Sequence, residues 1–246
     1  MEPATYVEHV RRDGAALGAA ARRDLAAAVP NCPGWDLAAL VSHVGTVHRW
    51  AAGTVGAGPG ERIRLSQIPA APGDHDGLLA WYDEGLASLL GALGAADPDA
   101  ETWTFTPTGD RRARFWFRRQ AQETAVHRWD AQAALGAAEP LDAALAVDGV
   151  DEFFEVMAAR RLAADPVPDL DASLHLHATD VEGEWFVALH PDRLEQRHEH
   201  AKADAAVRGP ASELLLWLWN RRPDDAPDLQ VFGDTAVLAR IGSLAP

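Results

Sequence analysis

The sequence predicts an α+β protein in which a four-helix bundle precedes a smaller α+β domain with a mainly antiparallel sheet. Over the first half of the chain, apolar residues recur at helical spacing in four segments. In the second half, two segments alternate apolar and polar residues as strands do, and a turn sequence joins them. Pro140 separates the two patterns, so we expect one domain over residues 1–138 and a second over residues 139–246.

Four helices are expected in the first domain. The segments that favour them cover about residues 5–28, 37–52, 76–93 and 112–135. Asp36 suits the N-cap of the second helix, and Gly136 suits the end of the fourth. Helices with this spacing favour an antiparallel bundle, and the facing helices of such bundles commonly carry metal sites.

The second domain is expected to mix helices and strands. A helix over about residues 148–163 precedes two strands over residues 173–178 and 184–189, which a hairpin turn connects. Further strands are expected near residues 193–200 and 229–232. Pro210 suits the first turn of an apolar helix, and a final helix closes the chain.

Composition argues against several classes of partner. The formal net charge of −15 at pH 7 opposes binding to nucleic acid phosphates and to anionic membranes. The sequence contains no apolar run near the roughly 20 residues of a membrane span and does not begin with a signal-peptide pattern. We therefore expect a cytoplasmic protein without nucleic acid or membrane partners, while the sequence leaves its oligomeric state open.

The segment from Glu123 to His127 gives the strongest functional signal. Residues four apart lie on one face of a helix, one turn apart, so this carboxylate and this imidazole can hold one metal ion. Two histidines and one carboxylate with an open position are the ligands of a catalytic zinc or of a non-haem iron. Arg119 and Asp130 lie on the same stripe, and the stripe also fits a solvated face with i,i+4 ion pairs.

Two histidines of the second helix compete for the third ligand position. His48 falls near the centre of the apolar stripe, whereas His43 falls on its flank beside Leu40 and Val47. Periodicity alone favours His48 as the inward histidine, although an inward histidine is more often a core residue than a ligand. A flanking histidine could face the mouth of a bundle, where a site stays open to substrate, so periodicity does not decide between them.

Three separated motifs add a family resemblance. They are VPNCPGWDLAALVSHV at residues 29–44, FWFRRQAQETAVHRWD at residues 115–130, and VRGPASELLLWLWNRRP at residues 207–223. In this order they resemble the mycothiol-dependent maleylpyruvate isomerase family, and the resemblance covers nearly the whole chain. That family belongs to the DinB-like metal-binding four-helix bundles, and its C-terminal domain is similar to sterol carrier folds.

The resemblance implies a particular site. It puts the metal ligands on His43, Glu123 and His127, and it gives His48 no such role. It implies a divalent metal ion, with zinc expected, and mycothiol as cofactors. It also suggests an arginine that helps to hold substrate, for which we choose Arg222, because arginine grips carboxylates in a bidentate fashion. A cation at that position also suits the end of the preceding helix.

Three other residues are candidates for a site. Cys32, the only cysteine, precedes a helix, where a thiolate is favoured. No histidine adjoins it in sequence, so a structural role is preferred. His175 and His177 share one strand face and could bind a metal, but a pair on a sheet surface is the preferred interpretation.

We therefore expect a divalent-metal-dependent enzyme that uses mycothiol as an external nucleophile. A free thiol is only about 3% ionised at pH 7, whereas a metal-bound thiol is deprotonated outright. As the resemblance implies, the thiol would add to an electrophilic double bond of a small, possibly carboxylated substrate. It would then either leave after rotation about that bond or stay attached to the product. These outcomes are isomerisation and S-transfer. The alternative is a non-catalytic metal- or small-ligand-binding regulatory protein on the same scaffold.

Overall fold

The computed structural model describes residues 1–107, 109–168 and 170–245. The chain divides into two compact units, of which the first comprises Met1–Phe105 and Gly109–Glu139. The second comprises Pro140–Pro246 and the short segment Thr106–Thr108. The first unit is helical and the second mixes helices with a sheet, so the predicted α+β class is confirmed.

The helical unit is built from four long helices within the described residues. They are α1 (Pro3–Ala21), α2 (Leu37–Gly56), α3 (His75–Ala95) and α4 (Arg114–Ala134). Helix α1 packs on α4, α2 packs on α3, and α2 also contacts α4. Helix α1 ends before the predicted Ala28, because the chain from there turns back and Ala28 forms an antiparallel bridge with Asp36.

Local chemistry fixes the start and the packing of α2. The Asp36 carboxylate accepts a hydrogen bond from the backbone N–H of Ala39 at 2.8 Å, which confirms the predicted N-cap. Gly45 lets α3 approach closely, since a Cβ there would lie 2.4 Å from a ring carbon of Trp81. Helix α2 extends to Gly56, beyond its predicted end near residue 52. A short 3₁₀ turn at Leu65–Gln67 lies in the connection to α3.

The second unit opens with a continuous helical segment. It consists of α5 (Ala143–Glu152), a π-helical stretch (Phe153–Ala158) and α6 (Ala159–Ala164). It therefore begins earlier than the predicted helix over residues 148–163. Helix α7 (Ala211–Leu218) packs on α5, and α8 (Thr235–Gly242) closes the described chain.

The sheet of the second unit is mostly antiparallel, as predicted. Its described strands are β1 (Ala172–Ala178), β2 (Glu184–Leu189), β3 (Leu194–Arg197), β4 (Ala205–Gly209) and β5 (Gln230–Gly233). The spatial order is β3-β2-β1-β4-β5, and only the β1–β4 pair among them is parallel. Strand β4 was not predicted, because a short run of alanines beside one valine gives little strand signal.

Candidate metal centre

Two helices of the first unit bring the sequence-predicted ligands together. His43 lies on α2, while Glu123 and His127 lie one turn apart near the middle of α4. One ligand atom from each of the three side chains falls within 4.8 Å of the others. The His43 Nε2 atom is 3.1 Å from Glu123 Oε1, and the His127 Nε2 atom is 3.5 Å from that same oxygen.

These separations suit a tetrahedral metal. Zinc bonds of about 2.0–2.1 Å at tetrahedral angles place neighbouring ligand atoms about 3.3 Å apart. The observed separations of 3.1 and 3.5 Å lie on either side of that value. The three side chains therefore fit a His–carboxylate–His group with small adjustments.

Neighbouring residues orient two of the three side chains. The Nδ1 atom of His127 is 2.9 Å from Oδ2 of the fully buried Asp130, so Nδ1–H donates to that carboxylate and Nε2 turns toward Glu123. Arg119 donates from Nη2 to Glu123 Oε2 at 3.2 Å, which leaves Oε1 for the histidines. A carboxylate behind a ligating histidine fixes its tautomer and raises its basicity.

The electrostatics of the cluster follow from burial and these hydrogen bonds. Burial favours the neutral form of Glu123, but hydrogen bonds from His127 and His43 outweigh it and hold the pKa of Glu123 well below its usual range. Burial alone would lower the pKa of His127, yet the hydrogen bonds to Asp130 and Glu123 raise it to about 9. In the metal-free protein, His127 is therefore protonated and Glu123 ionised at neutral pH.

His48, which periodicity favoured, lies elsewhere. It points into the core as the helical pattern predicted, with its side chain fully buried and its Nε2 atom 3.0 Å from the Thr124 hydroxyl. Burial lowers its pKa to about 3, so it is a neutral core residue. It belongs to none of the metal-ligand groupings of the described residues, so the geometry favours His43 as the third ligand.

Access to the cluster is from the α2 side. The exposed fraction of the side chain is 37% for His43, against 18% for Glu123 and 11% for His127. A pocket of about 490 Å³ adjoins His43, and its lining is mostly apolar: Trp35, Ala39, Ser42, His43, Thr46, Val47 and Leu65. The Trp35 ring centroid lies 5.0 Å from that of His43. A ligand would thus reach the cluster past His43.

Cys32 lies closer to this site than its sequence position indicated. Its Sγ atom is 3.7 Å from Asp130 Oδ2, and Cys32, His127 and Asp130 form a second group of potential ligands. Sequence reasoning missed the shared role of Asp130, although its spacing of three residues from His127 on one helix was a usable signal. Cys32 therefore contacts the carboxylate that orients His127.

Arg222 lies in the second unit, next to acidic partners. Its Nε atom donates to Glu213 Oε2, and its Nη2 atom is 3.7 Å from Asp228 Oδ2. The side chain is partly exposed, at 27%. The role chosen for Arg222 from the resemblance stays a prediction, and any anion would have to compete with these carboxylates.

Replacing Asp130 with asparagine should weaken metal binding by about 10–100-fold, because His127 would lose the carboxylate that orients it. Competition with a metallochromic chelator measures the affinity directly. Asp83→Asn is the matched control, since Asp83 pairs with Arg22 on the surface of the same unit. Equal affinities for Asp130→Asn and the wild-type protein would contradict the orienting role.

Fold and geometry together define a class: a two-unit α+β protein whose helical unit carries a His–carboxylate–His group. The family model described as "Mycothiol maleylpyruvate isomerase N-terminal domain" matches residues 7–132, and that of the MDMPI C-terminal domain matches residues 144–240. The chain therefore belongs to the mycothiol maleylpyruvate isomerase family. The family resemblance of the three sequence motifs is confirmed.

Solved structures show the same fold. A histidine-to-alanine mutant of the mycothiol-dependent maleylpyruvate isomerase is 13% identical with a TM-score of 0.64, and the match covers 94% of this chain and 93% of that one. A second structure of that isomerase is 12% identical with a TM-score of 0.62 and the same coverage. Comparison with curated proteins gives no significant match.

In residues 1–107, 109–168 and 170–245, no helix combines the length and the apolar character that crossing a membrane requires.

Proposed function

We propose that this protein is a divalent-metal-dependent enzyme that uses mycothiol as an external thiol for isomerisation or S-transfer on a small electrophilic substrate. The observation that carries the proposal is the convergence of His43 Nε2, Glu123 Oε1 and His127 Nε2 within 4.8 Å. Three protein ligands would leave a fourth position for the thiol. Membership of the family supports mycothiol as that thiol.

The residues of the helical unit would divide the work between them. His43, Glu123 and His127 would hold the metal, with zinc expected from the donor set. A divalent metal, when bound, supplies a thiolate at neutral pH, where a free thiol is only about 3% ionised. Asp130 would keep the Nε2 atom of His127 free for coordination, and Arg119 would hold the second oxygen of Glu123.

The pocket beside His43 would hold the reacting molecules. Trp35, Val47 and Leu65 give it an apolar lining, which limits water around the thiolate. This arrangement makes the protein's own thiol unnecessary as a nucleophile. Cys32 would instead hydrogen-bond the carboxylate of Asp130, in agreement with the structural role predicted for it.

Cobalt substitution tests the proposal. The chelated protein is reloaded with Co²⁺, and mycothiol is added with maleylpyruvate as the trial substrate. We expect a thiolate-to-cobalt absorption band that is absent in His127→Ala, together with thiol-dependent turnover. Metal binding without any effect of thiol on the spectrum would instead favour the non-catalytic binding protein. A protein that binds no metal through His43 and His127 would refute the enzyme.

Metal affinity should rise with pH up to about 9. The ion binds neutral imidazole, whereas His127 of the metal-free protein has a pKa raised to about 9 by Asp130 and Glu123. Below that pH, the metal must displace the proton on His127. This competition should lower the metal affinity about tenfold for each unit by which the pH falls. Calorimetry in buffers of different ionisation enthalpy measures the released proton. The release should disappear above pH 9.

Arg222→Ala tests the predicted anion anchor. If Arg222 binds a substrate carboxylate, kcat/KM should fall by about 10–100-fold, since hydrogen bonds to charged groups contribute about 1.5–3 kcal/mol. Glu213→Gln is the matched control, because it disturbs the same ion pair and keeps the guanidinium. Equal losses of thermal stability in both variants, with unchanged kcat/KM, would leave Arg222 a structural role only.

A further inference from the structure

A second group of potential metal ligands lies on the sheet of the second unit. His175 on β1, Glu184 on β2 and His200, which follows β3, each offer one ligand atom within 4.8 Å of the others. The Nδ1 atom of His200 is 2.8 Å from Glu184 Oε1, and the His175 and His200 ring centroids are 4.9 Å apart. Three separate segments of the chain thus direct donor atoms to one point.

The register of the sheet accounts for part of this arrangement. In the antiparallel β1–β2 pair, His177 lies directly opposite Glu184, and His175 lies two residues along the same face. The Nδ1 atom of His177 is 2.6 Å from Glu184 Oε1, so His177 holds the carboxylate in place. Neither Glu184 nor His200 was identified from sequence. His200 lies beyond the end of β3 and carries no periodic signal.

His175 supplies an independent indication of a missing partner. The residue is only 8% exposed, and its Nε2 atom is buried without a hydrogen-bond partner among the described residues. That atom is 4.0 Å from Glu184 Oε1, which is too long for a hydrogen bond. A buried polar atom without a partner is costly, and an ion bound at His175 Nε2 would satisfy it.

The separations between the donor atoms can also accommodate a metal ion. Ligand atoms around a tetrahedral zinc are about 3.3 Å apart. The Glu184 Oε1 atom lies 2.8 Å from His200 Nδ1 and 4.0 Å from His175 Nε2, which are separations on either side of that value. The side chain of His200 is 76% exposed, so it has room to shift away from Glu184 Oε1.

We propose that His175, Glu184 and His200 form a second divalent metal site, independent of the group on α2 and α4. Imidazole nitrogens with one carboxylate select zinc-like transition metals, whereas calcium and magnesium prefer oxygen ligands. The ion would join β1, β2 and the segment after β3, and its role would be to stabilise this part of the sheet. A pocket of about 400 Å³ adjoins the proposed ligand Glu184 and the neighbouring His177.

Metal stoichiometry of the full chain tests this site. Chelated wild-type protein, His127→Ala and His200→Ala are loaded with Zn²⁺, freed of excess metal, and analysed by mass spectrometry. If both sites exist, the wild-type protein should retain two equivalents and each variant one. If the group on α2 and α4 binds no metal, wild-type protein and His127→Ala should each retain one and His200→Ala none. The two proposals therefore fail in distinguishable ways.

Further variants separate metal binding from folding. Glu184→Gln preserves size and should lose the same equivalent as His200→Ala, and Zn²⁺ should no longer raise the melting temperature of the second unit. His190→Ala is the matched control, because His190 follows β2 but pairs with Asp171 instead. The proposal would be overturned if His200→Ala and Glu184→Gln, with native circular dichroism, both retained as much Zn²⁺ as the wild-type protein. It would also be overturned if His127→Ala retained no Zn²⁺.

Discussion

His127→Ala should lose metal binding at the helical unit and, with it, all thiol-dependent activity. The substitution removes a ligand itself, so the loss of affinity should exceed the about 10–100-fold that removal of an outer-shell partner costs. It also leaves Asp130, which is fully buried, without the imidazole it orients. Competition with a chelator gives the affinity, and cobalt absorption reports on the site itself.

The matched control for this prediction is His48→Gln. His48 lies on the helix that faces His127, but its Nε2 atom contacts the Thr124 hydroxyl, and a glutamine amide can replace that hydrogen bond. Metal affinity should therefore change little in His48→Gln, whereas it should fall in His43→Ala. If metal affinity fell in His48→Gln and stayed unchanged in His43→Ala, the ligand would be His48, as helical periodicity favoured, and not His43.

Asp13→Ala should destabilise the helical unit by about 3–5 kcal/mol, because it removes a carboxylate beside the buried charge of Arg128, which also donates to Gln132 and to the Glu139 carbonyl. The Arg128 Nε atom is 3.5 Å from Asp13 Oδ1, and both side chains are at most 5% exposed. The pair joins α1 to α4, the helix that carries Glu123 and His127. Urea unfolding followed by circular dichroism measures the loss.

An exposed ion pair on the same helix provides the comparison for Asp13→Ala. Glu8 pairs with Arg11 at the surface, so Glu8→Ala should cost no more than about 1 kcal/mol. Combining Asp13→Ala with Arg128→Met should recover much of the stability, since the buried charge is then removed as well. Equal costs for Asp13→Ala and Glu8→Ala would show that the buried pair contributes little.

Helix spacing made much of the first unit predictable. Asp36 began α2 as its capping chemistry indicated, and Gly136 lies just beyond α4 with a φ of 66°, a conformation that favours glycine. The predicted end of α1 was wrong. The Ala-rich sequence favours helix beyond Ala21, but the chain there turns to form the bridge between Ala28 and Asp36. Strand β4 depends on pairing with β1, a contact far away in sequence.

The candidate site was predictable only along one helix. The spacing of Glu123 and His127 defines a shared face, and this much follows from helical geometry. The choice between His43 and His48 depends on how α2 is rotated against α4, which periodicity does not specify to within one position. The proximity of Cys32 and the convergence of His175, Glu184 and His200 arise from tertiary contacts between separate segments.

His48 helps to hold together the two helices that carry the candidate ligands, although it binds no metal in the proposed site. Its hydrogen bond to Thr124 joins α2 to α4 within the core. Thr124 directly follows Glu123 in the sequence. The spacing between His43 and the α4 side chains is thus held by protein contacts alone. If the proposed metal site exists, it is preorganised, so an ion could leave and return without refolding of the helices, and little ordering entropy would oppose its binding.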